Sequence, residues 1–209
     1  MNTSEIVAQI LLELHAVTLN SKKPFRYASG ILSPVYTDCR VLIAYPDKRR
    51  QIRDLYIDAI ENSGVSFDVI AGTATAGIPH AAWLADKLNL PMVYVRGKAK
   101  DHGKENLIEG IIKKGQKAIV IEDLISTGES AINSVNAIKA AGGIVENVFS
   151  IITYGMKIAE DNLRQHQLKL ISLTTFIDVV RVAENLGQIN LLEKQLILEW
   201  VKNPTAWKS

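Results

Sequence analysis

The chain has 209 residues, the length of one ordinary domain, and its 47% hydrophobic and 22% charged side chains exclude disordered, fibrous and low-complexity classes. A formal charge of +2 is too small to draw nucleic acid or an anionic membrane by bulk attraction, so no nucleic-acid or membrane partner is expected and any basic function is local. The lone Cys39 can form neither an internal disulfide nor a thiol zinc site, residues 1–20 lack the basic start of a secretory signal, and no apolar run nears the roughly 18 residues of a membrane span, so a cytoplasmic protein is expected.

Ile6, Ile10, Leu11, Leu14 and Val17 recur at helical spacing behind Ser4, which reads as an N-cap, so the chain opens on an amphipathic helix. Pro24, Gly30 and Pro34 break that period over 21–40, a loop with room for a short hairpin. Behind Pro46, the residues Ile52, Leu55, Tyr56, Ala59 and Ile60 mark a second helix that Gly64 stops. From there short apolar runs alternate with helical stretches: strand 67–71, helix 78–88, strands 92–95 and 117–121, helix 130–141, and a strand within 145–153. A short helix after Gly155, a strand over 168–173 and a helix around 188–201 complete the order. Such alternation needs crossover connections, so the expected fold is α/β, a mainly parallel sheet flanked by helices. No linker divides 1–209, and one domain is expected.

Ligands of such sheets sit beyond the carboxyl ends of the strands, and three turns there are unusual. In the first, the apolar run 118–121 meets Glu122 and Asp123, then Leu124, Ile125, Ser126, Thr127, Gly128, Glu129 and Ser130 open a helix. Backbone N–H groups at a helix start, joined by Ser and Thr hydroxyls, cradle a phosphate monoester. Glu122 and Asp123 would repel that phosphate at contact distance, so they accept hydrogen bonds from ribose hydroxyls or approach a metal. Sugar and phosphate together point to a phosphoribosyl ligand. The second turn, Gly72-Thr73-Ala74-Thr75-Ala76-Gly77, has small residues that let amides approach an anion such as pyrophosphate. Ile78 and Pro79 stand where an NTP-binding loop needs Lys and a hydroxyl, and no Gly-x-Gly-x-x-Gly follows a strand, which argues against NTPase and dinucleotide folds. The third, Arg96-Gly97-Lys98-Ala99-Lys100-Asp101-His102-Gly103-Lys104, gathers five positive or potentially positive groups without interleaved aromatics. A loop of this kind can close over a diphosphate, neutralise it as it leaves and exclude water.

These residues resemble the type I phosphoribosyltransferases, whose signature is a hydrophobic strand, two acids and a hydroxyl-rich loop. Three further segments, 29–40, 72–80 and 96–103, make the likeness strongest to the orotate branch; it runs from about residue 25 to 155 and is expected over the whole chain. The resemblance implies a transfer from phosphoribosyl pyrophosphate (PRPP) to orotate, giving orotidine 5'-monophosphate and pyrophosphate on the way to UMP. It also implies a small N-terminal hood-like segment, residues 1–40 contributing the first helix and the base-recognition segment. Position by position, residues 122–130 would hold the ribose 5-phosphate and its hydroxyls, Thr73 and Ala74 would take part in PRPP binding, and Arg96, Lys100 and His102 would face the pyrophosphate as the catalytic set. Ser126 and Tyr36 would neighbour orotate. Mg2+ would arrive held mainly by PRPP, with no direct protein ligand, and the mobile loop would reach into a second copy, making a homodimer with shared sites. Ala28, Leu32 and the stretch Tyr154-Gly155-Met156 lack basic side chains that relatives carry there, which leaves the orotate carboxylate without an assigned partner; backbone amides of 29–34 are one candidate.

Orotate is already a nucleophile, so the expected mechanism displaces pyrophosphate at the anomeric carbon through a transition state with oxocarbenium character and needs no nucleophile–base pair. His15, His80 and His166 are expected to be structural. Two rivals are a phosphoribosyltransferase for another base and a noncatalytic PRPP-responsive regulator that binds nucleic acid.

Overall fold

The computed structural model of the chain describes residues 1–26, 32–97 and 107–204. Its first half runs α1 Thr3–Glu13, β1 Val17–Leu19, β2 Phe25–Arg26, β3 Leu32–Ser33, β4 Val35–Thr37, a 3-10 turn Cys39–Ala44, α2 Pro46–Ser63, β5 Val69–Thr73 and α3 Gly77–Leu88. Then come β6 Met92–Val95, β7 Ile108–Glu109, β8 Lys117–Ile125, α4 Glu129–Ala140, β9 Ile144–Thr153, α5 Lys157–Gln165, β10 Lys169–Thr175, α6 Phe176–Asn185 and α7 Leu191–Lys202.

Six strands form the central sheet in the order β10-β9-β8-β5-β6-β7, every neighbouring pair parallel except β6 with β7. The pleat sends alternate side chains to opposite faces, and both faces are apolar, as a parallel sheet under helices requires. Ile70, Ile119, Ile121 and Phe149 join one core with side chains from α1, α2, α3, α6 and α7. Val69, Ala71, Val120 and Val148 join a second core with α4 and α5. The α/β architecture read from the alternation is the one observed, and two short antiparallel pairs, β1 with β4 and β2 with β3, form the small N-terminal layer.

Element boundaries depart from the sequence reading where local hydrogen bonds outweigh apolar spacing. Asn2, not Ser4, caps α1: its side chain accepts from Glu5 N while the Glu5 carboxylate accepts from Asn2 N. The Ser4 hydroxyl donates instead to Asp178 Oδ2 at 2.5 Å. Val17 leaves the helical stripe because the helix closes at Leu14 and His15 turns to φ +52°, so Val17 starts β1. α2 stops at Gly64, whose φ of +65° suits a residue without a Cβ. The pattern gave no sign of β7 or α6. Thr175 both ends β10 and caps α6 by accepting from Asp178 N, so strand passes into helix without punctuating Gly or Pro.

Candidate active site

The connections leaving β5 and β8 part company. α3 packs on one face of the sheet and α4 on the other, which opens a crevice beyond the carboxyl ends of these neighbouring strands. β8 also overhangs. Its pairing with β5 ends at Gly72 opposite Ile121, but β9 keeps supplying partners until Ile125 meets Thr153. Glu122 and Asp123 therefore lie within the strand, not after it, which corrects the expected end at residue 121. Gly77 brings the start of α3 against this overhang: a Cβ there would stand 2.3 Å from the Ile121 carbonyl oxygen. At Gly72 a Cβ would stand 3.0 Å from Ala81 Cβ. Close helix–strand packing, more than anion approach, is what these two glycines serve.

Strand alternation separates the two acids. Glu122 turns to the side of Thr73 and α4, while Asp123 turns to the side of Cys39 and Arg40. Glu122 is 5% exposed, and its carbonyl oxygen accepts a 2.6 Å hydrogen bond from the Tyr56 hydroxyl on α2. Burial, and then the charge of Asp123, push its carboxyl up to about 8 against an opposing hydrogen bond from Thr73. Glu122 Oε1 is buried without a hydrogen-bond partner among the described residues. Thr73 also donates to Ser134 Oγ at 3.0 Å, and its single proton serves one acceptor at a time. Asp123 is raised as well, chiefly by burial, with backbone N–H groups and the Arg40 charge opposing. Cys39, fully buried beside these acids, has its thiol pushed up by burial first, which suits a structural residue.

Past the acids, Leu124 and Ile125 give their side chains to the cores, leaving only their backbone to the site. Ser126 and Thr127 are half-buried, and Gly128 takes φ +79° as the N-cap of α4 without a side-chain cap. The loop is held from behind, Asn162 Nδ2 donating to Thr127 O at 3.0 Å and Tyr154 N to Ile125 O at 2.9 Å. Glu129 and Ser130 are exposed on the first turn of α4. An uncapped helix start on a pinned loop leaves backbone N–H groups that can receive an anion. Beside it, Ser126, Thr127, Tyr154, Met156 and Trp200 line part of a cavity of about 660 Å3, within the range of small-molecule sites.

Thr73 is buried at the end of β5, and Ala74 N donates to Val95 O at 2.9 Å, so the Ala74 amide belongs to the sheet. The Ala74–Thr75 peptide is cis. Arg96 follows β6, one residue beyond the partner of Thr73; its amide donates to Leu107 O at 2.8 Å and its Nη1 lies 3.7 Å from Glu109 Oε1. Lys100 and His102 lie outside the described residues, as do Ala28 and residues 29–31. Tyr36 is exposed on β4, its ring 5.6 Å from that of Phe25. His80 is buried edge-on to Trp83 at 5.3 Å, and burial lowers it to about 4.

The sequence reading assigned no role to Asp38, Arg40, Tyr154 or Trp200. Asp38 accepts from Arg40 Nε at 2.6 Å and from Nη2 at 2.8 Å, and Arg40 also lies within electrostatic reach of Asp123. The Tyr154 hydroxyl donates to Thr37 Oγ1 at 3.0 Å, and Trp200 Nε1 donates to Leu32 O at 3.1 Å, so the ends of β9 and α7 hold the N-terminal layer in place. Only the Asp38-x-Arg40 spacing left a trace in the sequence.

Residues 44–184 match the model of the phosphoribosyl transferase domain. Over 208 residues the chain is 48% identical to the orotate phosphoribosyltransferase of Coxiella burnetii, covering all of both chains. The chain belongs to the orotate phosphoribosyltransferase family. Its likeness to the Listeria monocytogenes orotate phosphoribosyltransferase is 46% over 207 residues, 99% of each chain. The crystal structure of orotate phosphoribosyltransferase from Aeropyrum pernix superposes with a TM-score of 0.75 at 29% identity, over 88% of this chain and 99% of that one. Because these orotate phosphoribosyltransferase matches run nearly end to end, they take in the N-terminal layer as well as the sheet.

Proposed function

We propose that this chain catalyses transfer of the 5-phosphoribosyl group from PRPP to orotate, forming orotidine 5'-monophosphate and pyrophosphate in UMP synthesis. The observation that carries the reading is the pair Glu122 and Asp123 on the overhanging end of β8, directly before the uncapped, pinned start of α4, in a chain of this family. The amides of 126–130 receive the 5-phosphate. Asp123 accepts a ribose hydroxyl; Glu122, protonated at neutral pH, has a proton to give as well as oxygens to accept with. The turn from Thr73, with Arg96, Lys100 and His102, takes the diphosphate, and Ser126 and Tyr36 flank orotate.

With both substrates fixed, the orotate nitrogen attacks the anomeric carbon as the bond to pyrophosphate breaks, and the proton of that nitrogen passes to the departing pyrophosphate or to water. Alignment supplies much of the acceleration, and cationic side chains stabilise the leaving group. Glu122 and Asp123 offer hard oxygen donors suited to the water shell of a Mg2+ carried by PRPP. When bound, that ion neutralises charge on the diphosphate. A cytoplasmic homodimer of single-domain subunits, each lending Lys100 and His102 to the other's site, completes the reading, with no nucleic-acid or membrane partner.

The test is orotate depletion by purified protein with PRPP and Mg2+, run beside adenine, hypoxanthine and uracil and beside Lys100→Ala. Orotate-selective turnover that collapses in Lys100→Ala, with unchanged circular dichroism, is expected. Turnover with another base alone would move the chain to salvage, and none at all would leave a regulator.

A further inference from the structure

We propose that Arg40 is the group that receives the orotate carboxylate and so separates orotate from uracil, an inference that rests on the function proposed above. The positions 28, 32 and 156 carry Ala, Leu and Met, none of which supplies a cation. Arg40 stands on the segment that carries Tyr36, and its guanidinium is within the electrostatic reach of both Tyr36 and Asp123. Those two residues are the candidates for the ring and for the ribose hydroxyls. In orotate the carboxylate is attached to the ring carbon next to the attacking nitrogen, so on approach to the anomeric carbon it must lie beside the ribose. A cation within electrostatic reach of the tyrosine proposed for the ring and of the aspartate proposed for the ribose can take that place.

The guanidinium is also held ready. Asp38 accepts from Arg40 Nε at 2.6 Å, from Nη2 at 2.8 Å and from the Arg40 backbone N at 3.1 Å. Asp38 N itself donates to Ala16 O at 2.7 Å, Cys39 between them is wholly buried, and Thr37 is tied to Tyr154. These bonds occupy Nε–H and one Nη2–H, leaving both Nη1 protons and the other Nη2 proton for a planar carboxylate. The Arg40 side chain is 61% exposed, so a ligand can reach it without displacing protein. Electrostatics point the same way: without Arg40, an anionic substrate would face Asp38 and Asp123 together. Arg96, by contrast, lies at the end of β6 against Glu109, on the side proposed for the diphosphate.

Steady-state kinetics of Arg40→Ala and Arg40→Lys, with orotate and PRPP varied separately and with uracil as the alternative base, tests the assignment. For Arg40→Ala, kcat/KM for orotate should fall roughly 100-fold or more while the weak rate with uracil and KM for PRPP stay within about threefold. Arg40→Lys should recover only part, because an ammonium keeps the charge but not the planar fork. Unchanged orotate kinetics in Arg40→Ala, or a rise confined to KM for PRPP, overturns the assignment. Native chemical-denaturation midpoints in both variants separate a binding effect from loss of fold. Failure of the wild-type protein to use orotate would strike the functional reading itself, and is seen in the same assay.

Discussion

Glu122 has the most perturbed environment among the acids of the crevice, and its consequence for stability has a definite sign. Its carboxyl titrates near 8 in the folded chain against an ordinary 4.5, so the native state favours the protonated form. The favourable contribution is whole below pH 4.5 and is lost as pH rises to about 8, where ionisation leaves a buried charge beside Asp123. Glu122→Gln, which keeps the shape and removes the titration, should match the wild type in urea unfolding at pH 4.5 and exceed it at pH 9 by up to about 4 kcal/mol. Equal stabilities at both pH values would show that the carboxyl is not held in this environment. At this scale the residue types were legible, since an acid pair before a Ser-Thr-Gly turn has few other uses. Their separation was not. Only the pleat of β8 reveals that Glu122 and Asp123 face opposite sides, and only the fold brings Arg40 to Asp123 across more than eighty residues of chain.

Among elements, the docking of α3 on β8 sets the width of the crevice. A methyl at position 77 would meet the Ile121 carbonyl at 2.3 Å, a backbone atom that cannot swing aside. Gly77→Ala should therefore cost about 2–3 kcal/mol in thermal or chemical unfolding and weaken PRPP binding by moving the turn from Thr73, whereas a Gly64→Ala exchange, with open space around it, strains only the backbone. If calorimetry finds Gly77→Ala no less stable than wild type, the packing described for these two elements is wrong. Periodicity recovered α2 and β6 well because Pro46, Gly64 and flanking polar residues punctuate them. It failed at β7, a two-residue edge strand with no room for a pattern, and at α6, which starts directly behind the last strand residue, Thr175, with no Gly or Pro between. It also misjudged β8, because the partner that prolongs it, β9, is a matter of tertiary pairing.

At the level of the whole molecule, the proposed sharing of the site between subunits makes a quantitative claim. Lys100→Ala and Asp123→Asn chains should each be inactive alone. If Lys100 serves the neighbouring subunit, random mixing leaves one intact site in each mixed dimer, and coexpression should restore about a quarter of wild-type turnover. No recovery would place the loop over its own subunit's crevice. The fold class and the turns around the crevice were legible from strand–helix alternation, and the short hairpin expected within 21–40 is present as β2 and β3, but the position of the N-terminal layer was not legible, since its strands of two or three residues depend on Trp200 and Tyr154 for their place. That dependence imposes an order on synthesis. β5, β8 and the start of α4 have all been translated before residue 141, but the indole that holds Leu32 belongs to the final helix. On the ribosome, where folding proceeds from the amino end, the crevice must still wait for β9 and Asn162, which hold the end of β8 and the loop after it, and the N-terminal layer waits longer still, for the indole of Trp200.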